Sequence, residues 1–93
     1  MFFINRVLSF KIYDSYSLKD KRSTVKSLIK RIHNRYNVSI AEVGEQDMLN
    51  VSKIGIAITS SSQLIAQQTL DAVIEEIEAR YEIEIFDIQD VVK

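Results

Sequence analysis

Four stretches of the chain alternate apolar and polar side chains with a period of two, and two longer stretches repeat apolar residues every three to four positions. From Phe2 to Tyr13, residues Ile4, Leu8, Phe10 and Ile12 fall on one side and Phe3, Asn5, Val7, Ser9, Lys11 and Tyr13 on the other, with Arg6 breaking the apolar series. That is the pattern of a strand with one face on a core. Val38 to Val43 alternates again, with Val38 and Ile40 inward and Ser39, Ala41 and Val43 outward. Val51 to Ser60 turns Ile54, Ile56 and Ile58 inward and Lys53, Gly55, Ala57 and Thr59 outward. A last strand runs from Glu82 to Gln89 through Ile83 and Ile85.

The longer period belongs to two helices. Leu18, Val25, Leu28, Ile29, Ile32 and Tyr36 share one stripe at about 100° per residue. Ser17 with Asp20 three positions on forms a capping box at its start, and Asn37 is the expected C-terminal cap. Ser60-Ser61-Ser62 supplies the N-cap of the second helix, which runs to about Arg80 with Ala66, Leu70, Val73, Ile74, Ile77 and Tyr81 on its buried stripe. The order is βαββαβ in a single domain of residues 1–93. Two βαβ units with right-handed crossovers give an α+β, ferredoxin-like sandwich: a four-stranded antiparallel sheet of order 4-1-3-2 with both helices on one face. Gly44 to Asn50 reads as a connection long enough to be mobile, with Gln46 and Asp47 organising the turn through side-chain to backbone hydrogen bonds.

Composition narrows the chemistry. The chain has no cysteine and one histidine, so thiolate chemistry is excluded and no motif supports a histidine-based zinc site or a catalytic triad. Glu42, Glu45 and Asp47 cluster in sequence, but their spacing matches no calcium loop. No metal and no cofactor is expected. No apolar run reaches the ~18 residues of a membrane span, and Asn5 and Arg6 interrupt the apolar start, so no signal peptide is read and the expected compartment is the cytoplasm.

The net charge of −1 conceals a division: residues 1–40 carry a net +7 and residues 41–93 a net −8. Seven of the cations lie on the first helix, three of them near its start, where the helix dipole disfavours positive charge. Lys19, Lys21, Arg22, Lys26 and Lys30 therefore form an expected anion- or nucleic-acid-binding set, the alternative being a solvated helix face whose charges serve only solubility. The alternative for Arg22 is a structural pair with Asp14, Asp20 or the acidic second helix. Glu42, on the inward phase of its strand, is expected to pair with Arg35 or Arg6. His33 is expected at the surface, and the serines at 60–62 as caps, since the glycines of a phosphate loop are missing.

One sheet face is left without helices. Its central strands supply Val7, Ser9, Lys11, Gly55 and Ala57, all but Lys11 small or apolar, as an expected interface with a second copy, and these positions offer no aromatic pair for stacking bases.

The segments Ser17-Leu18-Lys19-Asp20-Lys21-Arg22-Ser23, Arg35-Tyr36-Asn37-Val38-Ser39-Ile40-Ala41-Glu42-Val43 and Gln46-Asp47 closely resemble the YlxP-like family of small bacterial proteins, over about Val7 to Glu84. The resemblance implies a ferredoxin-like fold, no established enzymatic activity, and in many genomes a coding position beside translation initiation factor two and ribosome-binding factor A. Leu49 stands where the family often has an aromatic residue, which argues against stacking by that loop. The expectation is a non-enzymatic factor associated with ribosomal RNA or a ribosomal subunit through its basic first helix. The alternative is a homo-oligomeric module using the open sheet face.

Overall fold

The period-two stretches are the strands and the period-3.6 stretches the helices. In a computed structural model that describes the backbone of residues 1–92 and the side chains of residues 1–90, the order is β1 (Phe2–Ile12), α1 (Leu18–Arg35), β2 (Ser39–Gly44), β3 (Val51–Ser60), α2 (Gln63–Arg80) and β4 (Ile83–Val92). The strands pair antiparallel in the order β2-β3-β1-β4, the expected order read from the other edge. Ile4, Leu8, Phe10, Ile54 and Ile56 of the central strands meet Leu28, Ile32, Leu70, Val73 and Ile77 of the helices, none more than 1% exposed. Each such side chain contributes roughly 1.5–3 kcal/mol by leaving water, so this layer dominates stability.

Both helices start on a serine. The Ser17 hydroxyl accepts from the Asp20 amide at 3.1 Å and the Ser62 hydroxyl from the Ile65 amide at 3.2 Å. Asp20 reaches back to the amide of Tyr16 at 3.3 Å, one residue before the cap itself. Both helices end alike, on Tyr36 and Tyr81 in extended conformation (φ −129° and −131°). Asn37 is therefore not the C-cap. The tyrosine amides still bond back to Ile32 and Ile77, and their hydroxyls join the helices, Tyr81 with Ser27 at 3.0 Å and Tyr36 with Glu76 at 3.5 Å.

Two irregularities set side-chain phase. In β4 the register against β1 shifts between Ser9 and Phe10, so that Phe86 is inserted and Asp90 comes opposite Arg6. In β2 the shift falls between Glu42 and Gly44, with Val43 as the extra residue. The connection to β3 is pinned rather than loose: the Ser15 hydroxyl donates to Leu49 O at 2.8 Å and the Ile12 amide to Asn50 O at 2.8 Å. Its turn closes through the backbone, Met48 N–H to Glu45 O at 3.2 Å, and among the described residues the side chains of Gln46 and Asp47 make no hydrogen bond. Glu45 takes the left-handed conformation there (φ 59°). Gly44 cannot carry a Cβ freely, because Lys53 Cδ would lie 3.2 Å from it.

Candidate nucleic-acid interface

Seven of the nine Lys and Arg in residues 1–40 fall into two groups; the other two, Lys11 and Arg31, have no carboxylate within ion-pair distance among the described residues, and Arg31 Nε is buried without a hydrogen-bond partner. Arg6, Lys21 and Arg35 each have a carboxylate. The Arg6 guanidinium, on the helix-covered side of β1, meets Asp90 through Nε (2.6 Å) and Nη2 (3.0 Å), Asp71 through Nη1 (2.8 Å) and Gln67 through Nη2 (3.0 Å). Its pKa is held above the ordinary value, first by the hydrogen bond to Asp90, with Asp71 adding to it against the desolvation of burial. Arg35 meets Glu76 at 3.3 Å in the seam between the helices.

Lys21 is a correction to the expected phosphate-binding set. It lies three residues after Leu18 and four before Val25, on the apolar stripe of α1, and its side chain is 0% exposed. Its ammonium pairs with Glu42 Oε2 at 3.2 Å and donates to the carbonyl of Glu45. The Ser52 hydroxyl donates to the same Glu42 oxygen at 2.7 Å. Glu42 is thus on the inward phase and paired, as a partly buried strand carboxylate, but with Lys21 in place of Arg35 or Arg6.

Lys19, Arg22, Lys26 and Lys30 are exposed and have no carboxylate within ion-pair distance among the described residues. The structural pairs considered for Arg22 do not form. The four positions recur at three and four residues, so each cation lies beside the next on one helix face. Like charges at that spacing cost roughly 0.2–0.5 kcal/mol per pair, and three such pairs together with the opposing dipole at Lys19 and Arg22 cost the helix about 1 kcal/mol. A face built for stability would not carry them. His33 continues the row at the surface, as expected.

The open sheet face carries the second set of expected residues. Val7 lies opposite Gly55 and Asn5 opposite Ala57, and these positions with Ala41 and Val43 line a depression of about 430 Å³. A Cβ on Gly55 would stand 3.0 Å from Val43 Cγ1. The small size of Gly55 is therefore set inside the sheet, by the extra residue of β2, and requires no partner. Ser9 is only 6% exposed, which removes it from the contact surface. Lys11 is exposed at the far end of β1. Near it, the exposed Tyr13 hydroxyl donates to Glu84 at 3.1 Å, and this bond, more than the charge behind it, raises the Tyr13 pKa. No group of three acidic, histidine or cysteine side chains suited to a metal ion occurs among the described residues, and no helix there is long and apolar enough to cross a membrane.

Fold and site together define a two-layer ferredoxin-like protein with one cationic helix face. The family model described as protein of unknown function (DUF503) matches residues 6–90, and the chain belongs to that family. It is 42% identical over 73 residues to the uncharacterized protein YlxP of Bacillus subtilis (strain 168), covering 78% of this chain and 79% of that protein. Among solved structures, the de novo designed protein LFR1 1 with ferredoxin fold matches with a TM-score of 0.56 at 17% identity, over 100% of this chain and 86% of that one. A dimeric ferredoxin-like protein from an uncultured marine organism matches with a TM-score of 0.52 at 7% identity, over 100% and 96% of the two chains. These structural likenesses establish the fold alone.

Proposed function

We propose that the protein is a non-enzymatic, RNA-associated accessory factor of translation that holds phosphates along the exposed face of α1. The observation that carries this reading is the placing of cations: Arg6, Lys21 and Arg35 pair with carboxylates, whereas Lys19, Arg22, Lys26 and Lys30 stand exposed in a row without one among the described residues, with Arg31 also unpaired but only partly exposed on the neighbouring flank. Lys19 to Lys30 spans roughly 16 Å of helix axis. Phosphate contacts along such a row give affinity that is largely independent of sequence and falls steeply with salt. The coding position implied by the family resemblance supports the same assignment. The test is fluorescence anisotropy with a single-stranded RNA dodecamer at 50 mM salt, alongside co-sedimentation with ribosomal subunits. The double variant Lys26→Glu, Lys30→Glu should bind at least tenfold more weakly and no longer co-sediment, with its thermal melt shifted little because both sites are exposed. A wild-type protein that binds neither the RNA nor the subunits excludes the reading.

A second reading, self-association through the open sheet face, is favoured by the depression at Val7, Gly55 and Ala57. On that reading Val7→Asp or Ala57→Arg yields a folded monomer by light scattering, and a wild type that is monomeric at high concentration excludes it.

A further inference from the structure

Between α1 and β2 runs a groove of about 550 Å³ that combines three kinds of lining. Its cations are Arg22, Lys26 and Lys30, with His33 beside them; its apolar surface is Val25 and Ile29; and the one acidic side chain in it is Glu42. A carboxylate among unpaired cations would be expected to swing toward them. Here it is held instead by the fold. Oε2 of Glu42 takes both the Ser52 hydroxyl and the Lys21 ammonium, two groups that are themselves 0% exposed. Among the described residues no hydrogen bond or ion pair reaches Oε1, and the side chain keeps 18% of its surface. The result is a fixed hydrogen-bond acceptor, charge-matched from behind, in a groove whose other polar groups on α1 are three cations and His33.

Phosphates have no donor to offer Oε1, so the groove is built for more than a phosphate. We infer that it reads an unpaired base of the RNA strand whose phosphates lie on Arg22, Lys26 and Lys30: the ring rests on Val25 and Ile29, and Glu42 Oε1 accepts a hydrogen from its exocyclic amine. This rests on the reading of the basic face as an RNA site. Single-stranded RNA is the form whose base edges are open to such contacts, and a carboxylate accepting from the cytosine amine is a known base contact. Uracil has nearly the same shape but presents carbonyl oxygens on both sides of its N–H, which repel the carboxylate. Lys21 and Ser52 are positioning residues, holding Glu42 without touching RNA.

The experiment is anisotropy with oligocytidine and oligouridine dodecamers at 50 mM salt, for the wild type and for Glu42→Gln. The amide keeps a carbonyl oxygen for Ser52 and Lys21 and turns an N–H₂ donor into the groove, where it matches a uracil carbonyl. The wild type should prefer the cytidine strand about tenfold, the scale of one hydrogen bond to a charged group, and the variant should lose or reverse that preference while its salt dependence stays the same. Equal, salt-sensitive binding of both strands by the wild type overturns the base-reading inference and leaves the phosphate-binding reading standing. Absence of binding to either strand overturns both. The wild-type comparison decides the matter even if the variant fails to fold.

Discussion

Arg6 and Lys21 are both buried cations on the helix-covered side of the sheet, and they are satisfied in opposite ways. Arg6 spends its donors on four contacts, one to the Gln67 amide oxygen and three to the carboxylates of Asp90 and Asp71, which reach solvent with side chains 38% and 66% exposed. Lys21 is sealed completely and matched by one carboxylate, Glu42, which also lines a groove and has one oxygen unbonded among the described residues. The saturated cluster clamps β4 to α2; the unsaturated one also clamps β2 to α1, but it presents an acceptor. The contrast separates a structural ion pair from a site.

Removing each cation in turn distinguishes the two clusters by the largest effects. Lys21→Met should cost about 3 kcal/mol, because Glu42 is left largely buried without a counter-charge, and the melting temperature should fall by more than ten degrees for a domain of this size. Adding Glu42→Leu should recover most of the loss. A single variant that melts within a few degrees of the wild type would show that the carboxylate rehydrates and the site is loose. Arg6→Met should cost less, about 2 kcal/mol, since Asp71 and Asp90 can take up water. Hydrogen exchange should then quicken in the second half of β4 and stay unchanged in β2.

Both clusters were partly legible before the fold was known. Arg6 interrupts an inward-facing series, and Glu42 sits on the inward phase of its strand, so each announces a buried charge. Lys21 carried the same signal on a helix, in step with Leu18, Val25 and Leu28, but a lysine among six other cations reads as one more surface charge unless the stripe is followed strictly. Asp90 could not be placed, because the extra residue at Phe86 moves it to the helix side, and an alternation carried through Ile83 and Ile85 puts it on the other. The pinning of 44–50 depends on contacts from Ser15, Ile12 and Lys21, all distant in sequence. Sheet order, helix starts and the central core followed from periodicity and caps alone.

Smaller effects sharpen the picture at its edges. Glu45→Gly should stabilise by about 0.5 kcal/mol, since a left-handed residue gains from losing its Cβ while the carbonyl that Lys21 holds belongs to the backbone. Chemical denaturation measures it, and a destabilised variant would mean that the Glu45 side chain has a role of its own. The smallest effect is that of the exposed pair at Tyr13. Because the bond to Glu84 raises the folded-state pKa of Tyr13, its contribution is present below the ordinary tyrosine value of about 10 and is lost as pH rises through the raised one. Absorbance titration should place Tyr13 later than in Glu84→Gln; coincident curves would remove the bond.

The division between paired and unpaired cations is tested most directly by the salt dependence of RNA binding. Affinities of a single-stranded dodecamer measured from 50 to 300 mM salt should give a log–log slope that is shallower by about 0.7 in Lys26→Ala, one phosphate contact on a single strand. In Arg35→Ala, whose guanidinium is already held by Glu76, the slope should equal that of the wild type. Equal losses in the two variants, or none in either, would contradict the account.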